Sequence, residues 1–117
     1  MAETFDERAP FDVVVLEREY ADAPDILTEI FTIFAEETPE RLEMLRSGMK
    51  EGDLARVKKA AHSLANTSGT LRADRALMLA RATEAAAREE DLPRATAHAE
   101  RLVEEASQIL EQIRSRL

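Results

Sequence analysis

A helical stripe in the middle of the chain constrains the fold more than any other feature. Its members are small or apolar and recur at spacings of three and four residues: Leu54, Val57, Ala61, Leu64, Ser68 and Leu71. With 3.6 residues per turn, this spacing puts them on one face of an α-helix. Stripes of the same period lie between residues 26 and 49, between 77 and 87, and between 95 and 117. The periodicity therefore predicts an all-α fold.

Turn and capping residues divide these stripes into four long helices. The predicted boundaries are an Asp22 cap before Pro24, a break or kink at Thr38-Pro39, Gly52 closing one helix and Asp53 capping the next, an Asp74 cap, and a turn over 90–93. The segment from Pro10 to Tyr20 contains three valines in a row, but no partner strand exists elsewhere, so we predict a short helix. Short connections then favour an antiparallel four-helix bundle with a short additional N-terminal helix. The expected organisation is a flexible segment 1–9 followed by one domain, 10–117.

Composition narrows the classes of function. The chain has 117 residues, enough for a single core, and no cysteine, which excludes disulfides and thiolate metal sites. A net charge of −8 argues against a nucleic-acid binder. No apolar run approaches the ~20 residues that cross a bilayer, and the first ten residues lack signal-peptide features. We therefore expect a soluble cytoplasmic protein without a membrane segment.

His62 lies about 120° from the centre of the stripe, so its imidazole is predicted to face solvent. Lysines precede it by one turn, and small residues follow it; this face holds Lys58, Lys59, Ala65, Asn66 and Gly69. From Asp53 to Arg75 there are five basic residues against two acidic ones, in an otherwise acidic chain. Such a patch is usually a solvated helix face, but it would also suit an acidic partner or a phosphoryl group.

The residues around His62 resemble the signature of the histidine phosphotransfer (HPt) domain of phosphorelays. The chain has Ala61-His62-Ser63-Leu64, then Thr67-Ser68, then Leu71, after a Gly52-Asp53 turn. It departs from the signature at three positions: Ala65 replaces a lysine, Asn66 replaces a glycine, and Arg72 stands where a second glycine is frequent.

The resemblance implies a free-standing, monomeric phosphoryl carrier rather than a stand-alone enzyme, with His62 relaying the group between aspartates of receiver domains. It implies no cofactor of its own, with Mg²⁺ supplied by the receiver. Partners would be response-regulator receivers and, as a further candidate, a hybrid histidine kinase. On helix geometry, Lys58 is placed to neutralise the phosphoryl group, Lys59 is less well aimed, and Asn66 could donate a hydrogen bond.

The alanine at position 65 leaves the efficiency of transfer open. The alanine at 65 predicts slower transfer, a more labile phosphohistidine, or substitution by Lys58 or Arg72. The expected receiver-docking surface comprises Lys58, Ala65, Asn66 and Gly69, with Arg41 and Leu45 of the preceding helix.

Rival interpretations also follow from the residues. The runner-up function is an interaction module that binds a receiver or kinase without being phosphorylated, and a helical scaffold outside signalling is a third. His98 has no motif around it and is expected to be an exposed helix residue. No pair of histidines or of Glu and His has metal-binding spacing, so no metal site is predicted. Glu84 falls near the apolar side of its helix and is predicted to be partly buried and hydrogen-bonded, without a catalytic role.

Overall fold

The computed structural model describes residues 11–117, so the predicted flexible segment 1–9 and Pro10 lie outside the described residues. Five helices follow one another: α1 (Val13–Glu19), α2 (Pro24–Glu51), α3 (Leu54–Thr70), α4 (Asp74–Arg88) and α5 (Leu92–Arg114). The described part of the chain contains no β-strand, which confirms the all-α prediction and the helical interpretation of the three valines.

The four long helices form a closed ring around one core. α3 packs between α2 and α4, and α5 closes the ring by packing on both α4 and α2, whereas α1 packs on α2. The α3–α4 interface is the most extensive, and both helices contribute small buried residues to the core: Ala60, Ala61, Ala65, Ala76, Ala80, Ala86 and Ala87. Small side chains let two helices approach closely, so these two helices hold each other in a fixed register.

The α2–α3 turn follows the predicted capping residues. Gly52 adopts the left-handed conformation with φ 68°, and the Asp53 side chain accepts a hydrogen bond from the backbone N–H of Arg56. The predicted caps at Asp22 and Asp74 are wrong, because Ala23 and Ala73 occupy those N-cap positions without a side-chain hydrogen bond. Asp74 is instead the first residue of α4, where its negative charge favours the positive end of the helix dipole.

Of the predicted break or kink at Thr38-Pro39, the break is wrong, because α2 continues through Pro39 as one helix of 28 residues. Thr38 is buried, and so are Phe34 before it and Leu42 after it. Continuous packing on both sides of the proline keeps the helix intact despite the missing backbone donor.

Some predicted apolar faces are wider than the core that covers them. Leu27, Phe31 and Phe34 of α2 are buried, whereas Ile26 and Ile33 are exposed. Two other residues of the predicted stripes are also exposed, namely Met78 on α4 and Leu117 beyond α5. Only the arc of a helix that meets a neighbour is covered, and the hydrophobic pattern alone does not mark the limits of that arc.

Gly48 allows α2 and α3 to approach closely beside their turn. A Cβ at this position would lie 2.9 Å from Cγ2 of Val57 and 3.2 Å from its backbone nitrogen. We expect Gly48→Ala to lower the free energy of unfolding by about 1–2 kcal/mol, because either the Val57 side chain or the helix must shift. Urea denaturation of both proteins measures this difference.

Gly69→Ala is the matched control for that substitution. Gly69 lies near the end of α3, and a Cβ there would meet nothing within 4 Å. The alanine should be neutral or stabilising by up to ~0.5–1 kcal/mol, because glycine is a poor helix former. Equal destabilisation by the two substitutions would contradict the steric explanation for Gly48.

Candidate functional site

His62 lies on the outer face of α3, with 63% of its side chain exposed. Its neighbours in sequence at 60, 61 and 64 are buried, because they belong to the stripe that packs into the bundle. The helix therefore presents the imidazole to solvent from a backbone that the core holds in place.

Glu84 of α4 makes the direct contact with the imidazole. Its Oε2 lies 3.0 Å from Nδ1 of His62, and only 18% of the Glu84 side chain is exposed. An ionised carboxylate can only accept, so a neutral imidazole makes this hydrogen bond in the tautomer with its proton on Nδ1. Nε2 is consequently the nitrogen with the free lone pair. The predicted partial burial and hydrogen bonding of Glu84 are present, but its contact with His62 was not predicted.

Arg88 extends this contact along α4. Its Nη2 lies 3.4 Å from the same Oε2 of Glu84, and the arginine side chain is 63% exposed. Sequence reasoning missed Arg88 completely. Its position four residues after Glu84, on the same face of the helix, was the available signal once Glu84 was placed beside His62.

Several of the α3 residues that were predicted to surround His62 are exposed on the same helix. Lys58, Lys59, Asn66 and Gly69 are exposed on α3, and neither lysine forms an ion pair with any residue between 11 and 117. Lys58 and Asn66 lie one helical turn before and after His62, so they share its face.

Two predicted docking residues are wrong. Ala65 is only 7% exposed and Leu45 is 0% exposed, so neither is available to a partner. Ala65 belongs to the hydrophobic core together with Ala60 and Leu64 of the same helix. Leu45 points into the core from α2.

Arg41 is half-buried and connects α2 to α3. Its Nε donates to Oγ of Ser63 at 2.9 Å, and its Nη1 pairs with Glu40 at 2.8 Å. Arg41 therefore lies on the α2 side of the His62 face, whereas Glu84 lies on the α4 side.

Arg72 is paired away from His62. It occupies the left-handed region with φ 57° and donates from Nε and Nη2 to the carboxylate of Glu19 at 2.7 and 2.6 Å. The hydrogen bond and the charge of Glu19 raise the pKa of Arg72. This bidentate pair ties the α3–α4 turn to α1 and holds the guanidinium of Arg72 at Glu19. His98 is half-buried on α5 rather than exposed as predicted.

Residues 11–117 contain neither a candidate metal site nor a candidate membrane span. No cluster of three or more histidine and carboxylate side chains there could hold a metal ion. None of the helices formed by these residues has the length and hydropathy needed to cross a bilayer.

A comparison with protein families identifies one match. The model of the Hpt domain family matches residues 29–116, about three quarters of the chain, and takes in most of α2 and all of α3, α4 and α5. Searches of curated proteins and of solved structures found no match.

Proposed function

The chain belongs to the Hpt domain family, which implies a histidine phosphotransfer role in two-component signalling, and we propose that Nε2 of His62 is the atom that carries the phosphoryl group. The observation that carries this proposal is the contact between Nδ1 of His62 and the carboxylate of Glu84. It leaves a nucleophilic nitrogen free on an exposed ring.

The proposed reaction is a reversible displacement at phosphorus. The lone pair of Nε2 attacks the phosphorus of an aspartyl phosphate on a receiver domain, and the P–O bond breaks with its electrons passing to the aspartate carboxylate. The ring then bears a proton on Nδ1 and the phosphoryl group on Nε2, so it is cationic. Glu84 stabilises this cation through the hydrogen bond that already exists, and the same cationic ring is a good leaving group for onward transfer.

We propose that the receiver supplies Mg²⁺ and the remaining catalytic groups, and that His62 supplies the nucleophile. Phosphoryl transfer depends mainly on positioning and electrostatics, so a carrier needs an accessible, oriented ring with charge balance around it. The partners are then receiver domains and a hybrid histidine kinase that contains one.

The proposed docking surface is the exposed face of α3 formed by Lys58, His62, Asn66 and Gly69. An apolar cleft of about 160 Å³ continues this surface towards the N-terminal half of α2. It is lined by Ile30, Ile33, Phe34, Thr67, Thr70 and Leu71. A receiver seated on both parts would meet an apolar patch beside a basic one.

Transfer from a ³²P-labelled phospho-receiver tests the proposal. We expect label on this protein that is stable in alkali and labile in acid, as a phosphoramidate is, and ¹H–¹⁵N correlation spectra should assign it to Nε2 of His62. A complex that forms with the receiver without uptake of label would favour the second candidate, an interaction module. The replacement of a signature lysine by Ala65 is the observation that favours this second candidate.

Lys58→Ala should slow transfer without abolishing it. Lys58 is exposed one turn from His62, and the loss of one exposed charge interaction corresponds to a rate lower by roughly 1.5–5-fold. Rapid-quench measurement of label transfer gives the rate, and Lys50→Ala, which removes an exposed lysine near the end of α2, is the control. Equal rates for Lys58→Ala and wild type would remove Lys58 from the site.

A further inference from the structure

We propose that Arg88 of α4 binds the phosphoryl group on His62, in place of the cation that α3 lacks at position 65. This inference rests on the proposed function, because it concerns the phosphorylated state of His62. The need for a cation follows from Glu84, whose carboxylate lies 3.0 Å from the ring. A phosphoryl group on the same ring adds further negative charge beside that carboxylate.

Arg88 is already close to the ring. Its Nη2 and Nδ1 of His62 contact the same oxygen of Glu84, at 3.4 and 3.0 Å. Nη2 of Arg88 and Nδ1 of His62 therefore lie no farther apart than the sum of their two distances to that oxygen. The remaining torsions of an exposed arginine can bring its guanidinium to a group on the other ring nitrogen.

α3 offers two exposed lysines before His62, of which Lys58 is better aimed at the ring than Lys59. Ala65 has no charge and is buried, and Arg72 is held by two hydrogen bonds to Glu19. Lys58 lies one turn before His62. Because α3 and α4 run antiparallel and Glu84 is level with His62, Arg88 is level with Lys58. The two cations therefore approach the same end of the ring from neighbouring helices.

The present contact of Arg88 is weak enough to be exchanged. At 3.4 Å it is longer than a charge-assisted hydrogen bond usually is, and the side chain is mostly exposed. A phosphoryl dianion offers three oxygens to the planar guanidinium and can accept two parallel hydrogen bonds. On phosphorylation Arg88 thus moves from Glu84 to the phosphoryl group, while Glu84 keeps its hydrogen bond to Nδ1.

This exchange slows hydrolysis of the phosphohistidine. When the P–N bond breaks to water through a loose transition state, negative charge on the phosphoryl oxygens decreases. A cation bound to those oxygens stabilises the starting state more than the transition state. Arg88 therefore lengthens the lifetime of the carrier between encounters with partners.

Phosphorylation with potassium phosphoramidate tests this inference without any partner. The decay of phosphohistidine is followed by ³¹P NMR in wild type, Arg88→Ala, Arg88→Lys and the control Arg101→Ala, which removes an exposed arginine from α5. We expect a half-life about 3–10-fold shorter in Arg88→Ala, partial recovery in Arg88→Lys and no change in Arg101→Ala. In ¹H–¹⁵N spectra of the guanidinium groups, the Arg88 signal should shift when wild type is phosphorylated.

The outcomes separate the two proposals. Label on His62 with a wild-type half-life in Arg88→Ala, and an unshifted Arg88 signal, would overturn the role of Arg88 and leave the carrier function standing. No label on His62 from either phosphoramidate or a phospho-receiver would overturn the proposed function, and the role of Arg88 with it.

Discussion

Replacing His62 by glutamine should abolish phosphorylation, whereas His98→Gln should leave it unchanged. Glutamine has a side chain of similar polarity but no nitrogen lone pair that can attack phosphorus, so no phosphoramidate can form. His98 is the other histidine of the chain and lies half-buried on α5, without the carboxylate contact that orients His62. Label uptake from a phospho-receiver or from phosphoramidate measures the difference.

The His62→Gln protein should retain its stability, which makes the result interpretable. The histidine side chain is mostly exposed, and surface substitutions of this kind usually change the free energy of unfolding by less than ~0.5 kcal/mol. Circular dichroism and a urea titration check the fold. Full labelling of a folded His62→Gln protein would mean that another residue is the carrier.

Glu84→Ala should reduce the rate of transfer through His62 by about 10–100-fold, the range seen when a carboxylate that orients a metal-binding histidine is removed. Without the carboxylate, Nδ1 loses its acceptor and the cationic ring formed on attack loses its counter-charge. Single-turnover transfer gives the rate. The ¹⁵N shifts of the ring nitrogens of His62 report the tautomer directly, and they should show less proton on Nδ1 in Glu84→Ala than in wild type.

Glu105→Ala is the matched control for Glu84→Ala. Glu105 is also a mostly buried carboxylate between helices, 15% exposed, and it accepts from Nε of Arg75 at 2.7 Å. Both substitutions remove one negative charge and one interhelical contact, but only Glu84 contacts His62. The transfer rate of Glu84→Gln should lie between those of wild type and Glu84→Ala. The amide oxygen can still accept from Nδ1, but the negative charge is lost. Parallel losses of transfer in the Glu84 and Glu105 variants would indicate a general effect on stability.

The role of Glu84 explains why the α3–α4 interface matters for the site. Ala65 of α3 and Ala80 of α4 are both buried, and Ala80 lies one turn before Glu84. Small residues at this interface bring the backbones together, so a glutamate of ordinary length reaches the imidazole and holds it. A bulky residue at position 65 or 80 would separate the helices and lengthen the contact between Glu84 and His62.

Local patterns in the chain were sufficient to predict the long helices and the exposure of the His62 side chain. The helical period of the stripe from Leu54 to Leu71 predicts both the buried face of α3 and the exposure of an imidazole 120° away, because a single helix determines that angle. Gly52 and Asp53 mark the α2–α3 turn for the same reason, since their conformational and hydrogen-bonding preferences act over a few residues.

Only the tertiary structure decided which residues surround His62. Glu84 contacts it across 22 residues of sequence, and Glu19 captures Arg72 across 53. The burial of Ala65 and Leu45 likewise depends on how closely neighbouring helices pack and how far around each helix that contact extends. These quantities are set by interdigitation of side chains between helices, and the periodicity of any one helix carries no information about the register or distance of its neighbour.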